Sequence, residues 1–306
     1  GMMASLYTAK VRAWFRYHSV PFIEVCAGSQ EFTETIVPVT GRWIIPVIMT
    51  PDGTVLQDGT AILDWLDKKE ENKGSIHTNQ PVLQAVSHLF ELFGGEGLLR
   101  PAMHYRWNFP DDNLAFVRYH FLYSQRDVPE REEKTEAMMN RMRHAAMIFG
   151  VTEQSQPVVE ALYLEYLDAL NAHFEHYPYL LGWRPCIGDF GLVAPMYAHL
   201  GRDPYPARLM QQRAPAVYRW VERMNREDQD APEYFNAGND FLANDEVPET
   251  LIPVLKILAE DFVPETLAAA DFILRGKAIM ALAKPDRFYW CSPFRKPLLY
   301  RQVGSR

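Results

Sequence analysis

The chain has 306 residues, 48% of them hydrophobic and 23% charged, a length and balance that support two packed domains and exclude a disordered polymer. With 31 Lys and Arg against 39 Asp and Glu the net charge is -8, the wrong sign for a surface that tracks nucleic-acid phosphates, so a small molecule is the expected ligand. No apolar run reaches the ~18 residues that cross a bilayer, and Cys26, Cys186 and Cys291 lack CxxC or Cys/His spacing, which argues against a zinc site or disulfide framework and fits a reducing, cytoplasmic setting.

Gly1 ahead of Met2 reads as a remnant of an expression tag, with Met2 the natural start. Val11, Trp14, Phe15 and His18 then follow i, i+3, i+4, i+7 and predict an amphipathic helix, and after Val20-Pro21 the run Phe22-Ile23-Glu24-Val25 predicts a strand. Only Met2, Met3 and Ala4 precede Ser5, too few for a strand of ordinary length ahead of the helix. Residues 44–67 read as strand, turn at Pro51-Asp52-Gly53, strand, and a helix with Ala61, Ile62, Trp65 and Leu66 on its apolar face. The stretch 67–81 is charged, broken by Gly and Pro and without periodicity, as a linker is. Beyond it the pattern is helical. Val159, Leu162, Tyr163, Tyr166, Leu167 and Leu170 form one stripe, and Val217, Trp220, Val221 and Met224 another. Residues 249–282 predict two more helices, interrupted by Pro253 and Pro264, and the aromatic and basic tail 287–306 reads as an arm packed on its own domain rather than an RNA contact. The expected division is 1–70, a linker at 71–81, a helical domain at 82–245 and an extension at 246–306.

Four stretches carry chemistry. Ser5, Tyr7 and Thr8 open the first helix, where hydroxyls and free amides can stabilise an anion such as a thiolate, although Ser5 alone is also an N-cap. In Ile44-Ile45-Pro46-Val47 a proline stands where a strand begins, as a cis bond or an ordinary strand-edge trans one. Asp58-Gly59 lies at a strand-to-helix junction, where amides can hold a carboxylate or Asp58 can cap the helix. His173 and His176, with a carboxylate between them, sit near a helix end, where solvation is a better account than a metal.

Together, "SLYTAKVR", "IPV", "VLQDGTAI" and the helical half resemble the glutathione transferase superfamily over roughly residues 4–225. "RPCIGDFGLVAPMYAHL" (184–200) is similar to that family's S/T-x-x-D capping box, with Cys186 in the cap place and Asp189 closing it. The resemblance implies an α+β protein: an N-terminal thioredoxin-like α/β domain, its first strand missing through a late start or genuine loss, followed by an all-α domain. It implies a serine-type active-site turn in which Ser5 donates to the glutathione sulfur, with Tyr7 or Thr8 as substitutes. Ile45 would pair with the cysteinyl part, Pro46 would be cis, and Gln57, Asp58 and Gly59 would hold the γ-glutamyl end. Gly59 stands where the family commonly has a serine, so weaker glutathione binding is expected. Tyr105, Arg106 and Trp107, in the aromatic cluster 103–109, fall where the family builds the wall for a hydrophobic co-substrate, with core packing as the other reading. The implied partners are glutathione as co-substrate, a small electrophile and a second copy in a homodimer, with no metal, nucleic acid or membrane. A binding module of the same fold without turnover is the alternative.

Overall fold

Ser5 decides where the first helix begins. In the computed structural model, which describes residues 1–69, 73–227, 231–235 and 238–280, its backbone is extended (φ -83°, ψ 125°) and its Oγ accepts from the Thr8 amide at 3.2 Å, closing the N-terminus of α1 (Leu6–Tyr17). Val11, Ala13, Trp14 and Tyr17 turn inward. Residues 281–306, with Cys291 and the aromatic tail, lie outside the described residues.

The predicted strand at Phe22–Val25 does not form. This segment has no regular structure, and Ile23 is 92% exposed. The physical reason is pairing: a strand needs a neighbour's amides and carbonyls, and among the described residues the segment makes one backbone contact, Gly1 N–H to Val25 O at 2.8 Å, followed just beyond it by Ala27 N–H to Gly1 O at 2.8 Å. The bidentate pair of Arg12 with Glu24, at 2.9 and 3.0 Å, holds the segment against α1 instead. The hairpin does form. β1 (Val47–Met49) and β2 (Val55–Gln57) pair antiparallel with Ile48 opposite Leu56, joined by a turn in which Gly53 takes φ 85°. A short helix α2 (Val37–Thr40) precedes them and α3 (Gly59–Asp67) follows. The buried face of α3 is Ile62, Leu63 and Asp67 rather than one centred on Ala61, which is exposed.

The segment after α3 is tied down. Asp67 accepts from Ser75 Oγ at 2.6 Å and the Ile76 amide at 2.8 Å, Lys73 donates to the carbonyls of Tyr17 and Glu227, and Arg184 donates to the Ser75 carbonyl. The helical half then runs α4 (Pro81–Leu92), a π-turn at 93–97, α5 (Leu99–Trp107), α6 (Pro110–Ser124), α7 (Arg131–Ile148), α8 (Gln156–Phe174), α9 (Ile187–Ala198), α10 (Pro204–Arg213), α11 (Pro215–Arg223), α12 (Ile252–Glu260) and α13 (Phe262–Met280). Pro253 and Pro264 sit in the first turns of α12 and α13, where the missing N–H costs nothing, so they start helices rather than interrupt them.

Helix α9 is the axis, packed by both α1 and α4. At Gly94 and Gly191 the backbones themselves meet: a Cβ on Gly94 would lie 2.2 Å from the Gly191 carbonyl oxygen. Asp189 locks the start of α9 by accepting from the amides of Leu180 (3.1 Å) and Cys186 (2.9 Å) and from Trp220 Nε1 (2.9 Å). Burial pushes its carboxyl up to about 6 against those hydrogen bonds, so it is ionised at pH 7. Asp189→Ala strands these buried donors and should cost about 3 kcal/mol or more in urea unfolding at pH 7.

His173 is not solvated at its helix end; it is fully buried, with Nδ1 2.9 Å from Thr250 Oγ1 and Nε2 3.3 Å from the Tyr179 carbonyl, whereas His176 is exposed. Burial brings the His173 imidazole down from 6.5 to about 4. Between those values the unfolded chain binds the proton and the folded chain does not, so the stability held above pH 6.5 is lost as pH falls through about 4. The stability of wild type minus that of His173→Gln should fall by about 2 to 3 kcal/mol across that window, read from urea midpoints at each pH.

Candidate functional site

Three consecutive carbonyls ahead of α1 are each held by an arginine. The Met2 carbonyl accepts from Arg12 Nη2 (3.4 Å), Met3 from Arg202 Nη1 (2.7 Å) and Ala4 from Arg106 Nη1 (2.8 Å). Arg106, on α5, is the anchor. It is 5% exposed, grips Asp203 in a two-pronged pair (Nε to Oδ2 2.6 Å, Nη2 to Oδ1 2.9 Å) and also donates to the Ala198 carbonyl at 2.8 Å. His199 completes the cluster. Its Nδ1–H points to the Ala102 carbonyl (3.2 Å) and its Nε2 accepts from Arg106 (2.7 Å). Burial and the adjacent guanidinium push this imidazole well below its ordinary range, and the neutral ring is the form that can accept.

This arrangement fixes the turn at Ser5. Ser5 Oγ spends a lone pair on the Thr8 amide, and its own O–H meets no acceptor among the described residues. Tyr7 and Thr8 are differently placed. The Tyr7 hydroxyl donates to the Gly95 carbonyl at 3.4 Å and burial raises its pKa, while the buried Thr8 Oγ1 accepts from the Met2 amide at 3.4 Å.

The Ile45–Pro46 peptide bond is cis. Met2 and Ala4 share an apolar cluster with Val117, Phe121 and Met139, and Ile45, Trp107, Met138 and Met142 pack against it, so the residue before the cis-proline and two residues ahead of Ser5 belong to one apolar cluster. Neither the amide nor the carbonyl of Ile45 has a hydrogen-bond partner among the described residues.

At the β2–α3 junction Asp58 has φ 77°, and its Oδ1 accepts from the Thr60 and Ala61 amides, both at 3.0 Å. Capping thus occupies one oxygen of an exposed carboxylate. Gln57 Oε1 accepts from Arg42 Nε at 3.4 Å, and a Cβ on Gly59 would stand 3.3 Å from Lys10 Cδ. That lysine is part of a joint that sequence reasoning missed. Lys10 pairs with Glu91 and donates to Thr60 Oγ1 at 2.9 Å, and Thr60 Oγ1 donates to Glu91 at 2.7 Å, linking α1, α3 and α4. Burial raises the Glu91 carboxyl, but the Lys10 charge and these hydrogen bonds outweigh it and hold the group below its ordinary range. The signal was present: Lys10, Ala13, Trp14 and Tyr17 are spaced i, i+3, i+4, i+7.

The expected co-substrate wall is corrected in two of its three residues. Tyr105 is 2% exposed and stacks with Phe109 and Tyr205 at 5.5 and 6.1 Å, and Arg106 is committed to Asp203, so both serve the core. Trp107 remains half-buried, packed on the same apolar cluster as Ile45, with the Arg143 guanidinium 5.3 Å from its ring. No group of three or more His, Cys, Asp and Glu that could hold a metal occurs among the described residues. No helix there is long and apolar enough to cross a membrane.

A small hairpin-bearing unit with a cis-proline, followed by an all-helical region, defines a thioredoxin-like domain joined to a helical one. Residues 4–69 match the family described as Glutathione S-transferase, N-terminal domain, and residues 119–228 match Glutathione S-transferase, C-terminal domain; the chain belongs to the glutathione S-transferase superfamily. Two solved structures are similar in outline. A glutathione S-transferase from Pseudomonas fluorescens Pf-5 is 19% identical, with 77% of this chain and 96% of that one covered and a TM-score of 0.39. One from Methylobacterium radiotolerans, in complex with glutathione sulfonate, is 19% identical over 79% and 97%, with a TM-score of 0.42. No curated protein sequence matches the chain.

Removing Arg106 leaves Asp203 as an unpaired buried charge. Arg106→Ala should therefore cost about 3–5 kcal/mol in equilibrium unfolding, with Arg106→Lys recovering only part because an ammonium cannot fork onto both carboxylate oxygens.

Proposed function

We propose that the protein binds glutathione between the segment 1–70 and the helical domain 82–245, and transfers the glutathione thiolate to a small electrophile. The observation that carries this reading is the Ile45 backbone: an amide and a carbonyl without partners among the described residues, next to cis-Pro46, with the side chain on the apolar cluster that holds Met2 and Ala4. A peptide laid along Ile45 gains two main-chain hydrogen bonds there, and the cysteinyl part of glutathione is such a peptide. Its sulfur then falls to Ser5. Because the capping bond orients Ser5 Oγ without using its proton, that O–H is free to donate to a thiolate, and the α1 dipole adds to the effect. Lowering the thiol pKa releases the proton to water; the sulfur lone pair forms the new S–C bond as the electrophile's leaving group departs or its double bond accepts the electrons.

Asp58 Oδ2 and the Gly59 amide are assigned to the γ-glutamyl end, with Gln57 at the strand end beside them. Trp107, Met138 and Met142 offer the apolar surface next to Ile45 for the electrophile. Tyr7 is the poorer donor because its hydroxyl already serves Gly95. The linker 71–81 and the extension from 246 complete the division, and a cytoplasmic homodimer is the expected state. A second reading, a glutathione-binding module without turnover, is favoured by Gly59, which offers no hydroxyl, and by the capping duty of Asp58.

Isothermal titration with glutathione tests the proposal. Binding should be detectable, and Asp58→Ala should weaken it by about 1–3 kcal/mol. Ser5→Ala should leave affinity nearly unchanged while raising the pKa of bound glutathione, followed by thiolate absorbance, and slowing conjugation. Glutathione binding with no conjugation of any electrophile and no lowering of the thiol pKa would select the binding module.

A further inference from the structure

A cleft of about 420 Å³ lies between the N-terminal segment and the helical hairpin, lined on one side by Ala27, Gly28, Thr33 and Trp43 and on the other by Gln125, Val128 and four residues of α7. Those four, Lys134, Ala137, Met138 and Arg141, recur every three or four positions and so share one face of the helix. The lining holds two cations and no carboxylate, in a chain whose acids outnumber its bases 39 to 31. Lys134 has Glu130 3.5 Å away as an exposed neighbour, whereas Arg141 has no ion-pair partner among the described residues. Ala137, a single methyl between the two cations along α7, leaves the floor of the cleft open.

The opposite wall is flat and fixed. Trp43 Nε1–H donates to the Ala27 carbonyl at 2.9 Å, and Phe32 meets the indole edge-on at 6.1 Å and 67°. Met138 adds a polarisable apolar surface, and Gln125, 4% exposed, has its amide nitrogen 3.9 Å from the Met138 sulfur. The cleft also adjoins the glutathione groups assigned above: Trp43 stands two residues before Ile45, and Met138 packs on the same apolar cluster as Ile45.

We infer that this cleft takes a flat, apolar molecule bearing a carboxylate, with its ring against Trp43 and Met138 and its charge on the Arg141 guanidinium, so that the electrophile is an acidic one. That the ligand is an electrophile rests on the glutathione reading; that the cleft selects an aromatic carboxylate does not. A planar guanidinium binds a carboxylate through two N–H donors.

The test needs no glutathione in its first arm. Binding of 1-naphthoate and of the uncharged 1-naphthamide to the full chain is measured by quenching of tryptophan fluorescence. The naphthoate should bind about five- to tenfold more tightly. Arg141→Ala, an exposed position on α7, should remove that preference, Arg141→Lys should restore part of it, and Ala137→Leu should weaken both ligands by filling the cleft. Equal binding of the two ligands, or a preference that survives Arg141→Ala, overturns the inference. In the second arm glutathione is titrated into Arg141→Ala. Unchanged glutathione affinity supports the assignment; a loss of glutathione affinity with the naphthoate preference intact assigns Arg141 to the glycine carboxylate of glutathione and overturns it. Failure of wild type to bind glutathione at all sinks the transferase reading and leaves the naphthoate result standing on its own.

Discussion

Everything near the candidate site hangs on a cation buried against peptide carbonyls. A guanidinium in the core requires a full set of acceptors, and the fold gathers them for Arg106 from Ala4, Ala198, His199 and Asp203. Satisfying the guanidinium brings the start of the chain, the end of α9 and the start of α10 to one point. The Ser5 turn is therefore positioned from the helical half, not from the small sheet. With only the β1–β2 hairpin as sheet among the described residues, that external support is what gives the turn a definite geometry.

A second polar joint, Lys10 with Glu91 and Thr60, does the same for the other end of the candidate site. Thr60 lies two residues beyond Asp58, so the cap of α3 is referenced to α4 as firmly as the Ser5 turn is to α5 and α10. Between the two joints runs the Gly94–Gly191 contact, where backbone touches backbone and no side chain can relax. Both ends of the site are thus measured from one rigid frame centred on α9.

The sequence made the helices and the family legible because their signals are local. The stripes on α1, α8 and α11 follow from periodicity, and the proline, aspartate and serine motifs each sit within a few residues of the turn they specify. The strand expected at Phe22–Val25 is absent because a run of residues that favour extended backbone reports a liking for a pleat but not the presence of a partner. For Tyr105 and Arg106 the sequence leaves both a wall and a core open, because an aromatic and basic cluster looks alike in a pocket and in a core. What separates the two is Asp203, 97 residues away, and nothing in the local pattern points across that distance. Lys10 differs: a charge on the apolar stripe of α1 announced a buried partner without naming it. Pro253 and Pro264 were read as breaks because a proline looks the same whether it ends a helix or opens one; the capping context decides.

The tethering of the segment after α3 bears on how the small unit is held. Asp67 clamps Ser75 and Ile76, Lys73 bridges the end of α1 to the Glu227 carbonyl, and Arg184 takes up the Ser75 carbonyl. These bonds fasten residues 73–76 to α3, to the end of α1 and to the segment ahead of α9. The stretch 30–43, with its short α2, makes no hydrogen bond to the helical half among the described residues, and its Val39 stands 64% exposed. The small unit is thus fastened to the helical half at its α3 end and not along α2.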